Sequence, residues 1–416
     1  MDLSGTWPPP LSGPALEHGR AQDTARYAID GRAPRFAVRP ATRDEVVEVV
    51  RACDADGLAL VPWGGGVALA REAAPQRYDV ALDLAGLDRI VEFEPDDFTV
   101  TAECGVTLAD LRAALAECGE ELPLEAPEAW GATLGGVLAA SASGARRLRF
   151  GGPRDRLLGA RFVTGDGVLA RSGGRVVKNV AGHAIHRLLC GSRGGLAVLL
   201  EASLKLLPLP PSRQAFVHGA DAAAIADTGR WSVFPRREPA ALTVIGRAIA
   251  SRNPVLAMPE PFTVVTGFED DATWVEACAQ FTRERLGAAK LSVRDASVPP
   301  LWQALADAEE MPGPRLTFAT AHNTPAALAP LAHRALAERL VFHAPCGRLH
   351  VWPAPEEAGA LVRELAALGF ALIDARGIEV EAPAPPRSIA ALRGRVRAAL
   401  DPHGVLAYGE RWARGS

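Results

Sequence analysis

The sequence predicts an α+β protein built from two units. Three observations support this fold class. Strand-like and helix-like apolar patterns alternate along the chain, glycine clusters interrupt them in the first half, and the composition changes at a proline-rich run, 208–211. A chain of 416 residues is too long for one hydrophobic core, so more than one domain is expected. After the proline-rich run, strands and helices alternate without glycine-rich loops, which is typical of an α+β domain.

The first unit begins with a helix that has a clear start signal. Thr42 stands at its N-cap and Glu45 follows three residues later, a capping box. A buried strand, 58–63, runs directly into Gly64, and Thr107 caps a second helix. The other predicted elements are strands at 80–84, 90–93, 98–102 and 196–206, helices at 133–143 and 184–190, and a hairpin of 157–164 with 168–172.

The second unit is predicted from periodicity alone, because it carries few motifs. A second boundary is expected at prolines 383–386, followed by a basic helix, 388–400. The predicted strands are 242–248, 262–267, 315–321, 348–353 and 370–374, and the predicted helices are 272–286, 325–340 and 355–368.

Composition and charge exclude several classes of function. The formal net charge of −4, with 23% charged residues, gives no support for a nucleic-acid or anionic-membrane partner. The six cysteines form no C-x-x-C pair, so iron–sulfur and zinc-ribbon sites lack ligands, and free thiols suit a reducing compartment. An acidic start and an interrupted apolar pattern argue against a secretory signal and a membrane span. We therefore expect a cytoplasmic protein, with attachment to the inner membrane through partners as an open alternative.

The common catalytic signatures are missing. The chain has no dinucleotide G-x-G-x-x-G after a strand, no P-loop, no H-E-x-x-H and no G-x-S-x-G. His183 and His186 lie three residues apart, but no third ligand accompanies them. No metal site is predicted.

Three glycine clusters indicate where the backbone must approach a ligand. They are Gly64-Gly65-Gly66, the run 131–136 and the run 191–195. Glycine allows backbone N–H groups to come close to an anion, and phosphate is a frequent one. Three such turns in one half of the chain predict a single long ligand that lies across several loops.

These runs, in this order and spacing, resemble the FAD-binding domain of the vanillyl-alcohol oxidase superfamily, the type shared with p-cresol methylhydroxylase. Within it, the chain is similar to the family of FAD-binding subunits of bacterial glycolate oxidase. The resemblance covers 34–208 and also rests on 39–42, 143–147, 154–159 and 177–182. It implies an FAD-binding domain over 1–208 that is completed by 387–416, with 209–386 as an α+β cap over the flavin.

The resemblance also implies the cofactor site. Residues 63–68 would hold the pyrophosphate, Thr133 and its glycines would follow the ribityl chain, and 195–198 would approach the adenine. Relatives with covalent flavin often have histidine in the triple-glycine loop, where this chain has Val67 and Ala68, so dissociable FAD is expected. The predicted cofactor residues are Pro62, Trp63, Gly64, Gly65, Gly66, Val67, Ala68, Gly131, Thr133, Leu134, Gly135, Gly136, Ala140, Gly144, Gly195 and Val198.

The catalytic residues are harder to predict, and three candidates remain open. Arg146 belongs to a basic cluster that continues to Arg156. It would bind a substrate carboxylate or flavin phosphate, since guanidinium groups bind such anions bidentately, or the cluster would form a solvated face or a partner contact. Lys178 would stabilise negative charge on reduced flavin, or form a structural ion pair. His183 stands near the presumed flavin edge, where relatives usually have tyrosine.

The function implied by the resemblance is oxidation of a small 2-hydroxy acid such as glycolate. Hydride would pass to flavin, and electrons would leave to a partner. In the family this subunit works beside a second flavoprotein and an iron–sulfur subunit. Two alternatives stay open: a free-standing FAD-dependent hydroxy acid or alcohol dehydrogenase, and a non-catalytic flavoprotein scaffold.

Overall fold

A computed structural model describes residues 24–127, 131–175, 182–232, 234, 238–311, 313–378, 380 and 387–409. The first half contains three sheets. A parallel sheet has the order β1-β3-β2, an antiparallel sheet has the order β4-β5-β9-β7-β8, and β6 pairs with β10. The strands are β1 (Phe36–Val38), β2 (Leu60–Trp63), β3 (Val80–Asp83), β4 (Ile90–Glu94), β5 (Thr99–Glu103), β6 (Glu120–Glu121), β7 (Leu157–Val163), β8 (Leu169–Gly173), β9 (Val198–Lys205) and β10 (Leu207–Pro208).

The strands between residues 212 and 376 form one antiparallel sheet of eight, in the order β14-β11-β13-β12-β16-β17-β15-β18. They are β11 (Ser212–Ala220), β12 (Ala241–Gly246), β13 (Phe262–Asp270), β14 (Leu291–Arg294), β15 (Arg315–Ala319), β16 (Leu340–His343), β17 (Arg348–Val351) and β18 (Ala371–Arg376).

The helices flank these sheets. None in the described part is both long enough and apolar enough to cross a bilayer. They are α1 (Arg43–Ala55), α2 (Leu108–Ala116), α3 (Leu134–Ala140), α4 (Arg147–Phe150), α5 (Pro153–Arg156), α6 (Ile185–Leu189), α7 (Ala222–Ala226), α8 (Thr228–Trp231), α9 (Arg247–Ala250), α10 (Ala272–Leu286), α11 (Val298–Ala308), α12 (Ala358–Ala367) and α13 (Arg387–Leu400).

Three helices start at threonine N-caps, in agreement with the helix starts that the sequence predicted. The hydroxyl oxygens of Thr42, Thr107 and Thr133 each accept a hydrogen bond from the backbone N–H three residues later. Such a cap satisfies one of the donors that a helix start leaves open and contributes about 1 kcal/mol. The caps fix where α1, α2 and α3 begin, and α3 lies at the second glycine cluster.

The eight-stranded sheet has two different faces. One face is apolar: Leu316, Phe318 and Leu349 are fully buried in a core that also contains α10 and α12 residues. The other face is covered in part by α11, whose Leu301 and Trp302 are buried. Because side chains alternate along a strand, the remaining residues of β15, β17 and β18 face the same side as α11.

The C-terminal segment returns to the first half. Leu406 forms a parallel bridge with Leu60 of β2, and Val405 and Leu406 are buried in the core around α1. Val396 and Leu400 of α13 pack against the core of the five-stranded sheet. This arrangement is compatible with the predicted completion of the first unit by the last residues.

One predicted helix is wrong. Residues 325–340 form 3-10 turns at Pro325–Leu328 and Ala335–Arg339, and Leu340 already begins β16. The apolar spacing that indicated a helix is satisfied because the turns bury Leu328 and Leu331 in the core. Strands β11 and β14 and helix α11 were not predicted. Strand β14 has only four residues, and the first turn of α11 contains two prolines. Strand β11 begins with three polar residues, 212–214, before its apolar part.

Candidate cofactor and substrate site

A deep cleft lies where the glycine-rich loops of the first half converge. Its empty volume is about 1040 Å³, including space that is open to solvent. Most of the predicted cofactor residues line it: Pro62, Trp63, Gly64, Gly65, Gly66, Val67, Ala68, Thr133, Gly135, Gly136 and Ala140. We call it the first cleft.

The triple glycine is required by how closely its loop packs on the second glycine cluster. A Cβ atom on Gly65 would overlap the carbonyl group of Gly131, and one on Gly64 would overlap the Thr133 hydroxyl. Gly66 has φ +76°, a conformation that favours glycine. A side chain at Gly64 or Gly65 therefore forces the two loops apart.

The same loop presents unused donors. In the part of the chain that the structure describes, no group accepts a hydrogen bond from the backbone N–H of Gly65, Gly66, Val67 or Ala68. Consecutive free N–H groups form a nest that binds phosphate-like anions. Small side chains such as Ala140 leave room for a flat group beside them. The cleft therefore fits a long ligand with a diphosphate in its middle.

The other predicted cofactor residues do not line the first cleft. Leu134 is fully buried in the core, and Gly131 supports the triple-glycine loop from behind. Gly144 lines a neighbouring cleft. Gly195 packs against the backbone of Tyr408.

Val198 illustrates the effect of strand alternation. It is fully buried in the core beside α1, whereas its neighbours Ala197 and Leu199 line the first cleft. Successive strand residues point to opposite faces, so a prediction made one residue off selects the wrong face.

Two of the catalytic candidates lie away from the first cleft, and the third lies outside the residues that the structure describes. Arg146 is buried, and its guanidinium group binds Glu121 at 2.7 Å and Glu269 at 2.8 Å. His183 is exposed, and its carbonyl accepts a hydrogen bond from Ser172. Lys178 lies outside the described residues. Arg146 is thus a structural ion-pair partner that joins β6 to β13.

A second cleft of about 1270 Å³ adjoins the first. Arg193 and Arg376 line both clefts, so the two spaces meet beside these side chains. The second cleft is also lined by alternate residues of three paired strands, which sequence reasoning missed: Arg315, Thr317, Arg348, His350, Asp374 and Arg376.

A charge network marks the junction of the clefts. Asp374 accepts a hydrogen bond from Arg376 Nε at 2.9 Å and pairs with Arg193, which also binds Glu72 at 3.3 Å. Burial opposes ionisation of Asp374, but Arg376 and Arg193 outweigh it and hold the pKa of that carboxyl well below its usual range. Glu72 and Arg193 come from the first half and Asp374 and Arg376 from β18, so the network ties the two halves together.

Arg315 is a different kind of cation. It is buried, and in the described part of the chain no carboxylate lies within salt-bridge distance of it. Burial, and then the nearby Arg376, lowers the pKa of Arg315 to about 10, so it stays charged at neutral pH. A buried charge without a partner is unfavourable, and an anionic ligand would relieve it.

A group of buried side chains beside the second cleft has the composition of a metal site. Glu309, His343 and His350 each offer one ligand atom, and these atoms lie within 4.8 Å of one another. Nδ1 of His343 is hydrogen-bonded to Thr243 at 2.9 Å and Nδ1 of His350 to Thr317 at 3.0 Å. Hydrogen bonds on Nδ1 orient each imidazole and direct Nε2 towards the group.

The trio could hold a divalent cation, although no metal site was predicted. Glu309 precedes His343 by 34 residues, so spacing gave no signal for it. His343 Nε2 lies 2.7 Å from Glu309 and His350 Nε2 lies 3.7 Å from it. Burial, and then Arg315, holds the pKa of His350 well below its usual range, so its imidazole is neutral, the form that binds a metal or accepts a proton.

Residues 34–173 match the family described as FAD binding domain. This stretch is similar to an FAD-binding domain. The glycolate oxidase subunit GlcE of Escherichia coli (strain K12) is 46% identical over 123 residues, which cover 29% of this chain and 35% of that subunit. A D-2-hydroxyglutarate dehydrogenase of Xanthomonas citri pv. viticola is 32% identical over 196 residues, 47% of this chain and 41% of that enzyme. The matched stretch therefore spans less than half of each relative.

The fold is similar to that of p-cresol methylhydroxylase. The TM-score is 0.69 at 17% identity, and the match covers 95% of this chain and 93% of that structure. The predicted fold class and the predicted resemblance are confirmed. FAD is the cofactor of this domain, and the first cleft, with its free N–H groups, is where its residues fit the diphosphate.

Proposed function

We propose that the chain binds FAD without a covalent link in the first cleft and oxidises a small 2-hydroxy acid in the second. Residues 1–208 with 387–416 form the cofactor unit in this proposal, and 209–386 form the cap that carries the substrate residues. The names of the relatives, a glycolate oxidase subunit and a 2-hydroxyglutarate dehydrogenase, support this substrate class.

One observation carries the proposal. The first cleft opens into a second one at Arg193 and Arg376, and that second cleft contains Arg315, a buried cation with no carboxylate partner in the described part of the chain. A carboxylate is the anion that a guanidinium group binds best in bidentate geometry. Its place beside the cofactor cleft suits the carboxylate of a substrate that reacts at the adjacent carbon.

The chain's own residues account for binding and for one proton. Arg315 holds the carboxylate of the 2-hydroxy acid, which places the α-carbon at the junction of the clefts. His350 Nε2 has no hydrogen-bond partner in the described structure and accepts the proton of the substrate hydroxyl group, while Thr317 holds its Nδ1. When bound, FAD supplies the acceptor for the hydride of the α-carbon. Loss of that proton and hydride leaves a 2-oxo acid.

The electrons must then leave, and we propose a partner protein as their acceptor. GlcE is a subunit of glycolate oxidase, which supports partner subunits for this chain. A second flavoprotein and an iron–sulfur subunit are the partners that the sequence resemblance implies. The described cysteines are all free and scattered, and they provide no cluster site within the described residues. The proposal therefore includes an external electron acceptor. The alternative is a free-standing FAD-dependent dehydrogenase.

Anaerobic titration of the FAD-loaded chain tests the proposal. The visible spectrum before and after acid precipitation reports flavin content and attachment, and bleaching on addition of glycolate, lactate or 2-hydroxyglutarate reports reduction. We expect soluble flavin after precipitation and bleaching by at least one 2-hydroxy acid. Arg315→Gln should weaken that substrate's apparent affinity about 100-fold, because a charged hydrogen-bond pair is lost.

Arg363→Gln, an exposed arginine on α12, is the matched control and should leave reduction unchanged. Bleaching that occurs only after the partner subunits are added would favour the scaffold alternative. Flavin that no 2-hydroxy acid reduces under either condition would contradict the proposed function.

A further inference from the structure

One group of donors in the second cleft is not used by the proposed reaction. Ser143 Oγ accepts hydrogen bonds from Arg147 Nη1 at 2.8 Å and from Arg348 Nη1 at 3.0 Å. Ser143 and Arg348 line the second cleft. We call these three residues the Ser143 pocket.

The Ser143 pocket offers donors and no free acceptor. A serine oxygen has two acceptor sites, and both are occupied by the two guanidinium groups, so the hydroxyl group can only donate to a third partner. Arginine has no acceptor at all. Each side chain of the pocket therefore requires a ligand that accepts hydrogen bonds.

The charge of the pocket is not balanced by the protein. No carboxylate of the described residues lies within salt-bridge distance of Arg147 or Arg348. Their neighbours in the basic cluster differ, since Arg146 binds Glu121 and Glu269 and Arg149 pairs with Asp270. Two like charges that converge on one hydroxyl group repel each other.

Arg147 lies close enough to Arg348 to affect its ionisation. Burial, and then the nearby Arg147, lowers the pKa of that guanidinium group below its usual range. An anion between the two groups would offset the repulsion and accept hydrogen bonds from both. Both guanidinium groups meet at the same serine oxygen, and this geometry defines the site.

The Ser143 pocket is separate from Arg315. In the register of β15 and β17, Ala319 pairs with Arg348, four positions along the strand from Arg315. Four positions correspond to about 13 Å of strand. One carboxylate cannot bridge such a distance, but a ligand with an anionic group at each end of a short carbon chain can meet both arginines.

We infer that the Ser143 pocket holds a second anionic group of the substrate, so that the chain prefers a 2-hydroxy acid with a distal carboxylate or phosphate over glycolate. This inference rests on the proposed function. The first carboxylate lies on Arg315, next to His350, and the distal anion lies on Ser143, Arg147 and Arg348. The pocket thereby determines the length and charge of the substrate.

Calorimetry with unreactive probes tests the inference on the FAD-loaded chain. Butyrate offers one carboxylate, succinate a distal carboxylate on a chain of equal length, and 2-phosphoglycolate a distal phosphate. We expect succinate or 2-phosphoglycolate to bind about 30-fold more tightly than butyrate, and the tighter one identifies the distal group. Equal affinity for all three probes would overturn the inference.

Variants locate the effect. Arg348→Gln should reduce the advantage of the doubly charged probe to less than threefold and leave butyrate binding within twofold. Ser143→Ala should reduce it by a smaller factor, and it keeps both guanidinium groups if Arg348→Gln does not fold. Arg363→Gln is the control. An advantage that survives both pocket variants would also overturn the inference.

These probes carry no hydroxyl group, so their binding does not depend on oxidation. If no 2-hydroxy acid reduces the flavin but the probes bind as expected, the proposed function fails and the anion pocket stands. If glycolate reduces the flavin and the probes bind equally, the pocket fails and the proposed function stands.

Discussion

The two clefts that meet at Arg193 and Arg376 are built in opposite ways. The first is made of backbone: glycine and alanine loops whose N–H groups face the space. The second is made of charged side chains carried by β15, β17 and β18. A backbone site depends on the absence of side chains at a few neighbouring positions, whereas a side-chain site depends on strands far apart in sequence. An added side chain therefore disrupts the first cleft, whereas a change of charge disrupts the second.

The largest expected effect comes from adding one methyl group to the backbone site. Gly65→Ala places a Cβ atom into the Gly131 carbonyl group, so the two glycine loops must separate. FAD affinity should fall more than about 1000-fold, because the nest of N–H groups no longer has its geometry. Flavin content of the purified protein and calorimetric titration with FAD measure this loss.

Gly359→Ala, in helix α12 with open space around its Cβ position, is the control and should bind FAD normally. Wild-type affinity in Gly65→Ala would contradict the placement of the diphosphate at this loop.

The next effect concerns the charge network between the halves. Asp374→Asn removes the carboxylate that pairs with both Arg193 and Arg376 and leaves them Glu72 as a partner. Breaking a buried pair of this kind costs about 3 kcal/mol. Denaturant unfolding should show this loss at pH 7. The exposed pair Arg334–Glu364 is the matched control, since Glu364→Gln should cost less than about 1 kcal/mol.

The same pair predicts a pH dependence. The folded pKa of Asp374 lies below its unfolded value, so its stabilisation is present above about pH 4 and is lost as the pH falls towards the folded pKa. The difference in free energy of unfolding between wild type and Asp374→Asn should therefore shrink below pH 4. A constant difference from pH 7 to pH 3 would show that Asp374 does not stabilise as a carboxylate.

A smaller effect is expected at the proton acceptor. His350→Gln should slow flavin reduction by a 2-hydroxy acid about 100-fold while substrate binding changes little, because Arg315 remains. Since the pKa of His350 is lowered, the wild-type rate should stay constant from pH 8 to pH 6. Stopped-flow absorbance under anaerobic conditions measures both, and exposed His333→Gln serves as control.

Metal content separates the two uses of His350. If its Nε2 accepts the proton directly, chelation with EDTA leaves the reduction rate unchanged. If EDTA abolishes reduction and added Zn²⁺ or Mn²⁺ restores it, His350 acts as a ligand together with Glu309 and His343 instead.

The smallest expected effect compares two threonine N-caps, one beside the first cleft and one remote from it. Thr133→Ala and Thr107→Ala each remove a helix cap and should each cost about 1 kcal/mol of stability. Thr133 also lines the first cleft, so its loss should weaken FAD binding up to about 10-fold, whereas Thr107→Ala should not. Equal FAD affinity in both variants would separate Thr133 from the cofactor.

The sequence pointed to the backbone site because its signals are local. Gly64 to Gly66, the Thr133 cap and the hairpin after residue 157 all follow from neighbouring residues. The substrate side was missed because its signal is an alternation of polar and apolar residues, as in Arg315, Thr317 and Leu316, which indicated a strand and not a site. The ion pair of Arg146 with Glu269 joins residues 123 positions apart, and no local rule relates them.

The alternation on β15 and β17 also bears on how this chain could acquire new specificities. Positions 315, 317, 348 and 350 face the ligand space, while 316, 318, 349 and 351 belong to the core on the other side of the same strands. Exchanging the first set redesigns recognition without disturbing packing. Ligand recognition and core packing therefore depend on different residues of the same strands. A small combinatorial library at these four ligand-facing positions is a direct route to altered substrate preference.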